Sequence, residues 1–135
     1  RGWLTPAGLE AIHDKMRRAL ARQGARLDAI AVCPHHPEAG CACRKPGCEL
    51  LRQAAQELGA PLAGSYMVGD RWLDVRCGRQ AGSTTVLVHS GHAPEPAEGL
   101  TADLEAPDLR TAARWILARE AGLAAAADAP HTVAR

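Results

Sequence analysis

Ser65-Tyr66-Met67-Val68-Gly69-Asp70 reads as a strand, Ser65 to Val68, that ends on a carboxylate. In open α/β sheets the carboxyl ends of the strands are where ligands bind, so Asp70 is a candidate functional residue from the outset. A helix carrying Trp72, Val75 and Cys77 follows and ends near Gly82. Thr84 to Val88 is a further strand, rich in β-branched residues. A brief strand is expected around Ala102 to Glu105. A closing helix then carries Leu109, Ala112, Ala113, Ile116 and Leu117 on one face. Strands that alternate with helices specify a parallel α/β sheet.

Upstream, Thr5 caps a helix that opens on Pro6, repeats Leu9, Ile12, Met16 and Leu20 on one face, and stops at Gly24. Leu27 to Val32 reads as a buried strand running into Cys33. Leu50, Leu51, Ala54, Ala55 and Leu58 mark another helix, closed by Gly59. The alanine-rich tail, residues 121–135, is expected to fray, leaving one domain over residues 1–120.

Between the first two of these strands lies Cys33-Pro34-His35-His36-Pro37-Glu38-Ala39-Gly40-Cys41-Ala42-Cys43-Arg44-Lys45-Pro46. Cys-x-His, a turn-rich gap and Cys-x-Cys together supply Cys33, His35, Cys41 and Cys43, a full tetrahedral donor set for zinc. Disulfide pairing is the weaker alternative: Cys41 and Cys43 are too close in sequence to bridge comfortably, and five cysteines leave one over. His36 is expected to be a neighbour of the site or solvated, and Cys48 and Cys77 to be small helix residues. His13 is expected at a helix edge, and His89 and His92 lie in a loop that can face substrate.

Arg44 and Lys45 follow the metal loop directly. A stapled loop would aim a planar guanidinium and a compact ammonium at phosphate; solvated surface charge is the alternative. Asp70 and Asp74 are four apart and share a helical face, a pair able to hold a hard cation, although taken by themselves they are explained more simply as acids at a helix N-terminus. Arg71 is a further candidate contact for an anion.

The balance of charge excludes other classes. Sixteen basic and fifteen acidic side chains leave +1, which calls for neither nucleic acid nor a membrane surface. No apolar run is long enough to span a bilayer and none reads as a signal peptide. Cysteines grouped as ligands then favour a reducing, cytoplasmic setting and a monomer is expected. Phe is absent, so the core must come from aliphatic residues.

Asp28-Ala29-Ile30, the run from Cys33 to Pro46, and Ser65 to Asp70 together resemble the D-glycero-D-manno-heptose 1,7-bisphosphate 7-phosphatase family. That family belongs to the haloacid dehalogenase (HAD) superfamily of aspartate-nucleophile phosphatases. Arg1-Gly2-Trp3-Leu4-Thr5 is also similar to a family segment, and the likeness covers about Arg1 to Gly91. Histidinol-phosphate phosphatase has a similar loop and is the nearest rival.

The resemblance implies a HAD-type, Rossmann-like parallel sheet with an inserted zinc loop at 33–46. It implies structural zinc on Cys33, His35, Cys41 and Cys43, and catalytic Mg²⁺ on Asp70, behind which the four-residue spacing sets Asp74. It further implies Lys45 neutralising the transferring phosphoryl group and Arg44 and Arg71 contacting a phosphorylated sugar. Arg71 stands where the family often has Lys, and Cys48 and Glu49 where it usually has Pro and Gly.

The family nucleophile lies in Asp-x-Asp-Gly on a first strand, and no Asp-x-Asp occurs in this chain. The first two strands of the family sheet are missing with it. They would lie between Leu27–Val32 and Ser65–Val68. The chain alone is therefore expected to be inactive, as the C-terminal two-thirds of such a phosphatase; the alternatives are one half of a split enzyme completed by an N-terminal segment, or a zinc-held binding module.

Overall fold

In the computed structural model the parallel sheet is built from three strands, β1 (Tyr66–Gly69), β2 (Thr84–Val88) and β3 (Leu104–Ala106), in the order β1-β2-β3. The structure describes residues 4–45, 47–90 and 99–127. Its helices are α1 (Pro6–Ala21), α2 (Glu49–Leu58), α3 (Trp72–Ala81) and α4 (Leu109–Ala127). The chain divides into two compact units, Arg1–Pro61 and Leu62–Arg135, where the sequence reading draws one domain over residues 1–120.

In the second unit, Tyr66 pairs with Thr84 and Gly69 with Leu87, while Val86 pairs with Leu104 and Val88 with Ala106. Both pairings are parallel, so α3 is the crossover that returns the chain from β1 to β2. The helix ends at Gly82, whose φ of 80° suits glycine. Val86, Val88, Ala106 and Ala112 form the core, with Val68, Leu104 and Trp115 packed against them. With no Phe available, β-branched residues of the central strand fill the space between sheet and helix. Tyr66 meets Trp115 edge-on, with ring centroids 6.2 Å apart, and Arg119 lies over the indole at 5.4 Å.

The third strand starts later than the expected Ala102 to Glu105, and the reason is a side chain. Asp103 Oδ2 accepts from the buried Thr85 N–H and from its hydroxyl, each at 2.7 Å, while the Asp103 N–H donates to the Thr85 carbonyl at 3.0 Å. A carboxylate thus occupies the place of a ladder carbonyl, and regular pairing begins only at Leu104. The last helix runs to Ala127, into the 121–135 segment expected to fray, because alanine is the best helix former.

In the first unit, Thr5 Oγ1 accepts from the Gly8 N–H at 3.1 Å and Pro6 opens α1. Ile12 and Met16, on the apolar face, remain 53% and 38% exposed. The expected buried strand at Leu27–Val32 is corrected by the structure: the segment is irregular, and Leu27 and Val32 are exposed. A strand exists only where its N–H and C=O groups meet a neighbouring ladder, and no described strand pairs with this one. Among the described residues, no helix is long and apolar enough to cross a membrane.

Candidate functional site

The loop after residue 32 has no ladder to shape it and takes its form from local turns. His36 Nδ1 accepts from the Glu38 N–H at 3.4 Å and caps a single 3-10 turn, Pro37–Ala39, which ends at Gly40 with φ 61°. The chain thereby doubles back and brings Cys41 and Cys43 to Cys33 and His35. The four donor atoms all lie within 4.8 Å of one another.

Cys33 Sγ stands 3.1 Å from Cys43 Sγ and 3.5 Å from Cys41 Sγ, and Cys41 and Cys43 are 3.2 Å apart. His35 Nδ1 lies 3.1 Å from Cys43 Sγ and 3.6 Å from Cys33 Sγ. Zinc–sulfur and zinc–nitrogen bonds of roughly 2.3 and 2.0 Å around a tetrahedron set neighbouring donors roughly 3.4–3.8 Å apart. Two of the five separations, 3.5 and 3.6 Å, fall in that range and the other three, 3.1–3.2 Å, are a few tenths of an ångström shorter, so three sulfurs and one imidazole nitrogen match a zinc ion in chemistry and converge as its donors would.

A hydrogen bond from Cys43 draws the Cys33 thiol down to about 6, and the same contact pushes Cys43 up to about 12.

A tight turn then leads into Arg44 and Lys45. The Arg44 N–H donates to the Cys41 carbonyl at 3.3 Å, and the Gly47 N–H to the Arg44 carbonyl at 2.8 Å. A Cβ at residue 47 would lie 2.2 Å from the Ala42 carbonyl oxygen, so only glycine fits this return. Arg44 and Lys45 are both exposed.

The second group of candidates sits where β1 hands over to α3. Asp70 is half-buried just past the carboxyl end of β1, and Arg71 is exposed at the start of the helix. Asp74 is buried, with 3% exposure, and its Oδ2 accepts from the Arg71 N–H at 3.2 Å. Asp74 is therefore committed at least in part to closing the first turn of α3, as an acid at a helix start should be. Asp70 supplies an oxygen donor of the type Mg²⁺ takes, alongside substrate phosphate and water.

The remaining candidates divide. Cys48 and Cys77 are buried at 6% and 3%, apart from the four-ligand cluster. His13 has a 12% exposed side chain and faces Glu10 at 3.5 Å. His89 Nε2 pairs with Glu105 Oε2 at 2.9 Å, a contact across strands that depends on register and that sequence reading misses. His92 lies outside the described residues. The close approaches at Gly47 and Gly69 were also missed; the glycines were visible, but not what they face.

A parallel sheet crossed by helices, with an acid at a strand's carboxyl end and a Cys/His cluster on a loop, defines a Rossmann-like α/β protein with a candidate metal centre. The chain belongs to the HAD-hydrolase-like family, whose model matches residues 42–112.

It is similar to D-glycero-beta-D-manno-heptose-1,7-bisphosphate 7-phosphatase of Bordetella bronchiseptica, with 48% identity over 92 residues that cover 68% of this chain and 51% of the relative. It is 38% identical to the Yersinia pestis protein of the same name over 125 residues, covering 87% of this chain and 61% of that one. Among solved structures it is similar to D,D-heptose 1.7-bisphosphate phosphatase from B. bronchiseptica complexed with magnesium and phosphate. The TM-score is 0.70 at 40% identity, over 84% of this chain and 65% of that one. The chain thus spans about half the length of the first two curated relatives it matches.

Proposed function

We propose that the chain carries the zinc loop, the anion-binding cations and the magnesium carboxylate of a phosphatase acting on the 7-phosphate of D-glycero-D-manno-heptose 1,7-bisphosphate. The observation that carries this reading is the convergence of Cys33, His35, Cys41 and Cys43 on a loop that passes directly into Arg44 and Lys45. The similarity to relatives named for that reaction supports it.

Cys33, His35, Cys41 and Cys43 would hold zinc, which when bound cross-links a loop otherwise shaped only by turns. Lys45 offers a compact positive charge to the phosphoryl oxygens, and Arg44 offers a planar fork to a second anionic or hydroxyl group of the substrate. Arg71 adds a cation beside Asp70. Asp70 would hold magnesium, which when bound offsets phosphate charge. Asp74 fixes the turn on which Asp70 and Arg71 stand.

No Asp-x-Asp occurs among the 135 residues, so on this reading they bind the ester without hydrolysing it. The test is calorimetric titration of the heptose bisphosphate and of histidinol phosphate into the zinc-loaded chain with Mg²⁺. Preference for the heptose ester by about tenfold, lost in Lys45→Ala, is the expected result. Preference for histidinol phosphate, or equal binding by Lys45→Ala, overturns the assignment. Phosphate release above that of Lys45→Ala overturns the inactivity.

A further inference from the structure

We propose that Cys33 and Cys43 form a peroxide-responsive pair whose closure into a disulfide expels the metal from the loop; this rests on the zinc reading above. The geometry selects the pair. Cys33 Sγ to Cys43 Sγ, at 3.1 Å, is the shortest of the three sulfur separations in the cluster. The next, Cys41 to Cys43 at 3.2 Å, joins residues separated only by Ala42, and a bridge across so short a span is strained. Cys33 and Cys41 are the farthest apart, at 3.5 Å.

Cys33 and Cys43 are only half-buried, so a small oxidant reaches them, whereas Cys48 and Cys77 are buried at 6% and 3%. Ten positions separate the pair, and they include the left-handed Gly40 at φ 61°, so a covalent clip replaces the metal without a new fold in the loop.

The chemistry balances. One thiolate sulfur attacks the O–O bond of hydrogen peroxide, forming an S–O bond and releasing hydroxide. The second thiolate attacks that sulfur, forming the S–S bond and releasing a second hydroxide. The two sulfurs give up two electrons to the peroxide oxygens, and two solvent protons convert both hydroxides to water. Cys41 and His35 are left as the only donors, too few for a closed zinc site.

The experiment treats the reduced, zinc-loaded chain with stoichiometric hydrogen peroxide. Zinc release is followed with a chromogenic chelator, and disulfides are mapped by peptide mass spectrometry. The expected result is loss of the bound zinc together with two of the five thiols, a Cys33–Cys43 link in the peptides, and recovery of zinc binding after dithiothreitol. Cys41→Ser keeps the pair and is expected to form the same link. Zinc retained after peroxide, or a bridge between any other two cysteines, overturns the proposal. A reduced chain that binds no zinc before peroxide sinks the zinc reading and the release step with it, while a zinc-loaded chain that lacks the Cys33–Cys43 link sinks the proposal alone.

Discussion

Asp74 is packed against Gly69 so closely that a Cβ at residue 69 would stand 2.3 Å from both Cβ and Oδ2 of the aspartate. The contact joins the last residue of β1 to the first turn of α3 and so sets where Asp70 and Arg71 stand between them. Gly69→Ala must push Asp74 off the Arg71 N–H, and overpacking of this kind costs about 1–3 kcal/mol. A lower urea midpoint with an unchanged m-value is the expected measurement. A midpoint equal to wild type would show that the turn yields freely.

Asp103 is expected to make stability depend on acid. Its carboxyl is held below the usual range, first by the Thr85 N–H and then by the Thr85 hydroxyl. A depressed folded pKa means stabilisation that is complete above about pH 4 and is lost as pH falls through the folded value. Asp103→Ala leaves the buried Thr85 donors without this acceptor, at a cost of about 1–2 kcal/mol after allowance for the exposure of Asp103. Denaturation at pH 7 should separate variant from wild type, and the gap should shrink by pH 2.

His35 and His36 are adjacent, yet their substitutions should diverge. His35→Ala removes the only nitrogen donor of the cluster and should abolish stoichiometric zinc in a chelator competition. His36→Ala loses one long bond to the Glu38 N–H, 3.4 Å, worth at most about 0.5 kcal/mol, and should keep its zinc. The reverse pattern would reassign the ligand.

Trp115→Ala should destabilise the second unit. The indole packs on the core, meets Tyr66 edge-on and carries Arg119 over its face. Truncation of a large aromatic costs about 3 kcal/mol, read from the thermal midpoint by circular dichroism. Tyr66→Phe, which keeps the ring and loses the hydroxyl's bond to Glu120, should lower the midpoint far less.

What the sequence made legible was local. Thr5 and Pro6 mark the start of α1, Gly59 and Gly82 the ends of α2 and α3, and the β-branched run bounds β2 at Thr84 and Val88. The convergence of Cys33, His35, Cys41 and Cys43 is legible for the same reason, since their spacing lies within one short loop. What failed was non-local. Leu27–Val32 has the composition of a strand, but composition does not supply a ladder partner. Asp103 as a substitute carbonyl, and His89 beside Glu105, depend on the register of β2 against β3. Composition alone also does not mark where α4 ends: it reaches Ala127, inside the alanine-rich segment expected to fray.

Gly47, wedged against the Ala42 and Arg44 carbonyls, makes the loop intolerant of drift at that one position. A library that randomised residues 42–47 and was screened for chains still carrying their ion should return glycine alone at 47, while position 42, whose side chain is exposed, accepts many substitutes. The basic pair is then anchored from both sides, by the clustered Cys43 sulfur before it and by an irreplaceable hydrogen atom after it.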